Sequence, residues 1–405
     1  MKKITAITIL VSLLALGACT SELDPKTVHA NVITLDTHVD VPLNYMTPEM
    51  DPGTDTGAQV DLNKMVAGGL DAAFFIVYIP QTDIAKIDEA KYAEARQIAE
   101  TRYAAIKKMT ETYPERIELA FTAADVRRIH KSGKQAALIG MENAFPLGPS
   151  VDDVPMWEKR GVRYVGLTHF GHNQFGDSSN PNKDDGQTTD MHGGLSPLGK
   201  DLVVALNKAG IMVDVSHTGK KTMMQAINLS TVPVIASHSG VKAVADNARN
   251  LDDEQLRALA ANGGVVQIVA FDSYVKVRTA EQVAYIAQVQ ADMGLETRAA
   301  RSAMSKDVSA EYTKRTKQVY DIAPRASVAN FADHIDHAVK IAGIAHVGIS
   351  SDFDGGGGVV GWENAAETES VTAELVKRGY SEADIEKIWG GNLLRVLQAV
   401  QDGAG

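Results

Sequence analysis

From residue 31 onward, short apolar runs alternate with longer amphipathic stretches. Eight runs read as strands, at 32–40, 70–79, 135–143, 162–169, 211–217, 232–238, 264–271 and 346–352. They are rich in Val, Ile, Leu and Ala and mostly lack period-two alternation, as parallel strands buried on both faces do. Helical periodicity predicts helices at 84–112, 123–132, 198–209, 220–229 and 252–261. Glycine follows two of them, in Lys208-Ala209-Gly210 and Ala261-Asn262-Gly263, where a helix stops before the next strand. Eight strands, each followed by a helix or long loop, predict an α/β fold of the (β/α)8 TIM-barrel type rather than an open sheet. Two stretches strain that count. Residues 117–121 form a candidate extra strand, and 280–345 is a long, mainly helical insertion between strands seven and eight. The polar, Gly-rich stretch 177–194 reads as a surface loop over the site.

Composition adds bounds. Hydrophobic residues make up 44% and charged residues 22% of the 405, enough for a sizeable core. A net charge of −11, with no Lys/Arg cluster, argues against a nucleic-acid partner. The first residues read as a processing segment: Lys2 and Lys3, then a short apolar run from Ile4 to Leu16. It ends in Leu16-Gly17-Ala18-Cys19, which resembles the lipobox of bacterial lipoproteins, and Cys19 is the only cysteine. The resemblance implies a signal peptide over 1–18, lipidation of Cys19, a tether over 19–30 and one catalytic barrel domain over 31–405. It also implies a chain held by lipid in the bacterial cell envelope; Thr20 resembles an outer-membrane sorting residue, which would place the chain facing the periplasm. With one cysteine no intramolecular disulfide can form, so stability must come from packing and bound metal.

Chemistry in such a barrel sits at the C-terminal strand ends. The run Thr34-Leu35-Asp36-Thr37-His38-Val39-Asp40 closes strand one, and alternate residues of a strand share a face, so His38 and Asp40 project together. Glu142 ends strand three, His169 strand four, His217 strand five, His238 strand six and Asp352 strand eight. Four imidazoles and three carboxylates in one mouth repel one another unless cations hold them. Two divalent ions sharing one carboxylate satisfy that count and can turn water into hydroxide at neutral pH.

The runs Asp36-Thr37-His38-Val39-Asp40-Val41-Pro42, Gly140-Met141-Glu142-Asn143, Leu167-Thr168-His169, Asp214-Val215-Ser216-His217, Ser237-His238-Ser239 and Ser351-Asp352-Phe353-Asp354-Gly355 resemble the renal (membrane) dipeptidase family. These are binuclear zinc peptidases on an amidohydrolase-type barrel. The resemblance spans about residues 31–398, including Gly391-Asn392-Leu393-Leu394-Arg395. It implies two Zn2+ per chain, another divalent ion being the alternative, with His38 and Asp40 on one, His217 and His238 on the other, and Glu142 on both. It further implies that His169 holds the substrate carbonyl, Arg249 grips the dipeptide's C-terminal carboxylate, and Asp352 carries the proton from water to leaving amine. The chain departs from the family at Val41, at Asn143, and at Phe271-Asp272-Ser273-Tyr274, which puts a substrate contact from that last loop in doubt. The cysteines that pair in the mammalian enzymes are absent.

The expected function is therefore a metal-dependent dipeptidase, with dipeptides and the lipid bilayer as partners and a homodimer left open. A cyclic amide, lactone or β-lactam hydrolase on the same barrel is the alternative; relatives of that kind carry H-x-H on strand one and often a carbamylated Lys, whereas here the run is H-x-D with Glu142. A non-catalytic envelope-binding lipoprotein would be expected to lack a ligand or Asp352. Of the other histidines, His334 and His337 are expected to make structural hydrogen bonds, His172 and His192 to line the pocket, and His29, His130 and His346 to be incidental.

Overall fold

A computed structural model describes residues 23–405. The expected signal segment and Cys19 lie outside the described residues.

All eight expected strands form, each shorter than its apolar run. They are β1 (Leu35–Asp40), β2 (Ala72–Tyr78), β4 (Gln135–Glu142), β5 (Val162–Gly166), β6 (Met212–Asp214), β7 (Ile235–Ser239), β8 (Val265–Val269) and β9 (Val347–Ser350). Neighbours run parallel in the order β1-β2-β4-β5-β6-β7-β8-β9. The barrel closes from β9 back to β1, where Asp352 N donates to His38 O (3.1 Å) and Asp40 N to Phe353 O (2.9 Å). The extra strand also forms, as β3 (Ile117–Leu119). It pairs with the first residues of β4, below the point where β5 takes over that edge at Ile139.

Alternation sets the layers. Leu35, Phe74, Ile76, Leu138, Tyr164, Met212, Ile235 and Val265 pack as one cluster inside the barrel, continuous with residues of helices Ala123–Lys131 and Asn392–Asp402. The alternate residues Ala73, Phe75, Val77, Ile139, Val213 and Ile349 join the larger cluster beneath the surrounding helices. By parity Tyr78, Gly140 and Glu142 belong to the inward face. In β1 the parity breaks: the register shifts between Asp36 and Val39, and a second shift falls between Ala236 and Ser239 in β7. Such irregularities re-aim side chains. Here they let Leu35 and Ile235 fill the interior while His38 and His238 still reach the mouth.

Two boundaries differ from expectation. Of the stretch 280–345, its last helix, Val328–Ala342, is a regular barrel helix packed on β8 and β9. The insertion is the shorter set of helices from Ala280–Met293 to Val319–Ile322. Part of the expected tether is structured: Pro25–Asn31 is a helix, N-capped by Asp24 with Pro25 in its first turn. It docks through His29, whose Nδ1 meets Thr372 Oγ1 (2.7 Å) and whose Nε2 meets Gly68 O (2.9 Å), so His29 is not incidental. Among the described residues no helix is long and apolar enough to cross a membrane.

Gly140 has a packing role. A methyl group there would overlap the Tyr164 ring, which fills the interior against β4. Gly140→Ala is expected to destabilise the fold by about 1–3 kcal/mol through overpacking. A lower urea midpoint at unchanged slope is the check, and an unshifted midpoint would refute this account of Gly140.

Candidate active site

The mouth is built around the Glu142 carboxylate. Its Oε1 lies 3.0 Å from His217 Nε2, 3.3 Å from His238 Nε2 and 3.6 Å from His169 Nε2. Its Oε2 faces His38 Nε2 at 3.6 Å. That nitrogen also stands 3.7 Å from Asp40 and 4.0 Å from Asp352. All seven strand-end residues expected to carry chemistry are thus brought together. Burial pushes Glu142 upward, but the His169 and His38 imidazoles and hydrogen bonds from His217 and His238 outweigh it and hold the carboxyl well below its ordinary range. Burial lowers His217 and His238, leaving them neutral, and takes His169 down to about 4. Burial pushes Asp352 the other way, well above the carboxylate range; His38 opposes and the Asp40 and Glu142 charges add to it.

Two of the three ligand imidazoles, His38 and His238, are held from behind, whereas His217 Nδ1 has no partner. His38 Nδ1 lies 2.9 Å from Tyr164 OH, which donates to Thr37 O (3.1 Å). This sets Nδ1 as the protonated nitrogen and leaves the Nε2 lone pair toward the carboxylates. His238 Nδ1 meets Ser237 Oγ (2.8 Å), whose hydroxyl donates to Asp214 (2.7 Å). Asp214 also accepts from Ser216 N and Ser237 N, tying β6 to β7; Asp36 likewise accepts from His38 N and Ser351 N, tying β1 to β9. Among the described residues, three of the five non-glycine positions at positive φ lie at these strand ends: Asn143 (74°), His217 (64°) and Asp352 (58°). Asn tolerates that conformation, and the Asn143 amide donates to Ile79 O and Gln81, which holds it there. Gly355 leaves room for two carboxylates, since a methyl group there would overlap Asp40 Oδ2 and come within 2.5 Å of Asp352 Oδ1.

The residues fit a metal. Three triads, His38/Glu142/His238, Glu142/His169/His217 and His38/Asp40/Asp352, each bring their ligand atoms within 4.8 Å of one another. His38 Nε2 is buried with no hydrogen-bond partner, and the Nε2 atoms of His217 and His238 face each other at 2.9 Å. Lone pairs aimed at one point among carboxylates suit a divalent cation.

The cavity above these groups has a volume of about 580 Å³. Tyr78, Arg102, Phe170, Phe271, Tyr274 and Arg298 line it. Of these, only the Phe271–Tyr274 loop is named from sequence, as a departure that puts a substrate contact in doubt, and the structure puts Phe271 and Tyr274 on the cavity wall. The strand-end rule, applied to strand two as well, finds Tyr78; Arg298, from the insertion, has no such signal. Arg249 lies one layer behind this wall, 2% exposed. Its Nη2 donates to His238 O (2.8 Å), its guanidinium lies 5.4 Å from the Tyr274 ring, and its Nε has no partner. His172 and His192 do not line the pocket: their rings bond to Thr188 O and Asn173 O within the loops. His334 bonds Val241 N and Val275 O, and His337 bonds Asp253, both structural contacts.

A parallel barrel with imidazoles and carboxylates gathered at its C-terminal mouth defines the chain as a hydrolase of the metal-assisted barrel class. It belongs to the membrane dipeptidase family, peptidase family M19, whose profile matches residues 24–404. Dipeptidase tcpJ of Claviceps purpurea is 32% identical over 354 residues, 87% of this chain and 71% of that protein. The probable dipeptidase PvdM of Pseudomonas aeruginosa superposes with a TM-score of 0.84 at 34% identity, over 94% of this chain and 98% of that one. A metallo peptidase from Rhodobacter sphaeroides, liganded with a phosphinate mimic of the dipeptide L-Ala-D-Ala, shares the fold (TM-score 0.68, 22% identity, 91% and 99% covered).

Tyr164 tests how the donor set is held. Tyr164→Phe keeps the ring and removes the hydroxyl behind His38, so divalent-metal affinity should fall about 10–100-fold with the fold intact. Competition against a chromophoric chelator reads it; unchanged affinity would show that the hydroxyl does not orient His38.

Proposed function

We propose that this chain hydrolyses the peptide bond of dipeptides using two divalent metal ions, zinc by the mixed imidazole and carboxylate donor set. His38 and Asp40 would hold one and His217 and His238 the other, with Glu142 shared. The observation that carries this reading is the division of the Glu142 carboxylate, one oxygen facing three imidazoles and the other facing His38. When bound, such ions would lower the pKa of a water they hold, making hydroxide available at neutral pH.

The chain's own groups supply the rest. His169, neutral above about pH 4, presents Nε2 to the mouth and can donate a ring proton to the oxygen of the scissile carbonyl as charge develops there. Asp352, at the opposite rim, takes the proton of the attacking water and returns it to the leaving nitrogen; its raised affinity for protons suits both halves of that transfer. Arg249, with an unpartnered Nε beside Tyr274, supplies positive charge for the C-terminal carboxylate on the β7–β8 side.

Dipeptide hydrolysis by the purified protein should be abolished by a strong chelator and restored by Zn2+, while lactones and dihydropyrimidines go unhydrolysed. Asp352→Asn should lower kcat by about 10²–10⁴ at unchanged metal content. Hydrolysis that survives complete metal removal would sink the proposal.

The envelope location rests on the N-terminal sequence alone. If Cys19 carries lipid, only residues 20–24 separate it from the docked helix at Pro25, a reach of roughly 17 Å at full extension. The barrel would then sit close to the bilayer. Cys19→Ser should move the protein from the membrane to the soluble envelope fraction; retention in the membrane would refute the anchor.

A further inference from the structure

Arg298 is the one residue of the 280–322 insertion that lines the active cavity. Its Nη1 donates to Phe170 O (3.1 Å), next in sequence to His169, and its guanidinium lies 5.7 Å from the Phe170 ring. The nearby acid, Asp184, is spent on the backbone N–H of Arg298 rather than on its side chain. No carboxylate among the described residues pairs with the guanidinium, and no partner is seen for its Nε or Nη2. The other cavity arginine differs: Arg102 is tied to Val41 O (2.7 Å) and Tyr78 O (2.5 Å), which joins the ends of β1 and β2. A half-buried guanidinium held by one bond and a ring, with its remaining donors uncommitted, is built to receive an anion.

Its position says which anion. Arg249 and Tyr274 stand on the β7–β8 side of the mouth, whereas Tyr78, Phe170 and Arg298 form the wall at the ends of β2 and β5. A dipeptide held by its terminal carboxylate on the first side, with its carbonyl at His169, projects its N-terminal residue toward the second. Resting on the dipeptidase reading above, we propose that Arg298 selects dipeptides whose N-terminal residue carries an acidic side chain, pairing with that carboxylate.

The test compares kcat/KM for Glu-Ala and Gln-Ala, which differ in one charge at nearly constant shape. The native protein should favour Glu-Ala, and Arg298→Gln should cut the Glu-Ala/Gln-Ala ratio about tenfold, chiefly through KM. Arg298→Lys should restore part of the preference, and Arg298→Glu should shift it toward Lys-Ala. Hydrolysis of Gln-Ala with a ratio unmoved by these substitutions overturns the assignment of Arg298 and leaves the dipeptidase reading standing. Failure to hydrolyse either peptide with metal bound overturns both.

Discussion

The structure depends on one carboxylate. Glu142 is buried among imidazoles on one side and faces His38, Asp40 and Asp352 on the other, in an environment where a lone charge would be strongly disfavoured. The imidazoles make it tolerable, whereas Asp40 and Asp352 add like charge that a cation would offset. All of these neighbours but His169 are placed by a departure from regular strand geometry. The register shift in β1 turns His38 and Asp40 inward, the shift in β7 does the same for His238, and left-handed backbone at His217 and Asp352 aims two more. Conformations of that kind cost on the order of 1–3 kcal/mol each and persist only where the surroundings enforce them. Asp36 and Asp214 do the enforcing, each holding two strand ends together through backbone N–H groups.

The opposite end of the barrel bears that cost. Leu35, Phe74, Ile76, Leu138, Ile235 and Val265 fill the interior below the mouth, closed by Leu393, Leu394 and Leu397 of the last helix. Asn392 pins that helix, donating to Ile344 O and Val347 O at the start of β9. Chemistry and stability therefore occupy different ends of the same strands.

That division explains what was legible in the sequence. Strands buried on both faces are continuous apolar runs, so all eight could be read, and β3 with them. The donor residues could be read because each ends such a run. The supports were harder: Asp36 and Asp214 lie inside the quoted motifs, yet nothing in their spacing shows that their partners are Ser351 and Ser237 on adjacent strands. Tyr164 looks like core and is core, apart from one hydroxyl. The helix at Pro25–Asn31 is short and polar, and only its docking against Thr372 and Gly68 distinguishes it from a tether.

The substrate wall was the least legible part, for a physical reason. A hydrolytic centre needs particular residue types at fixed distances, so it draws on rigid strand ends that leave compact motifs. Recognition of a side chain needs one charge or ring at the right place, and any segment that reaches the rim can supply it. Here Tyr274 comes from the turn after β8, Arg102 from the helix after β2, and Arg298 from an insertion with no counterpart in the barrel plan. No pattern of spacing links these residues. They meet only because the 280–322 insertion folds back over the loop that follows His169, where Asp184 and Phe170 hold Arg298 in place. The class of reaction is thus encoded locally along the chain, while the choice of substrate is encoded in contacts between distant segments.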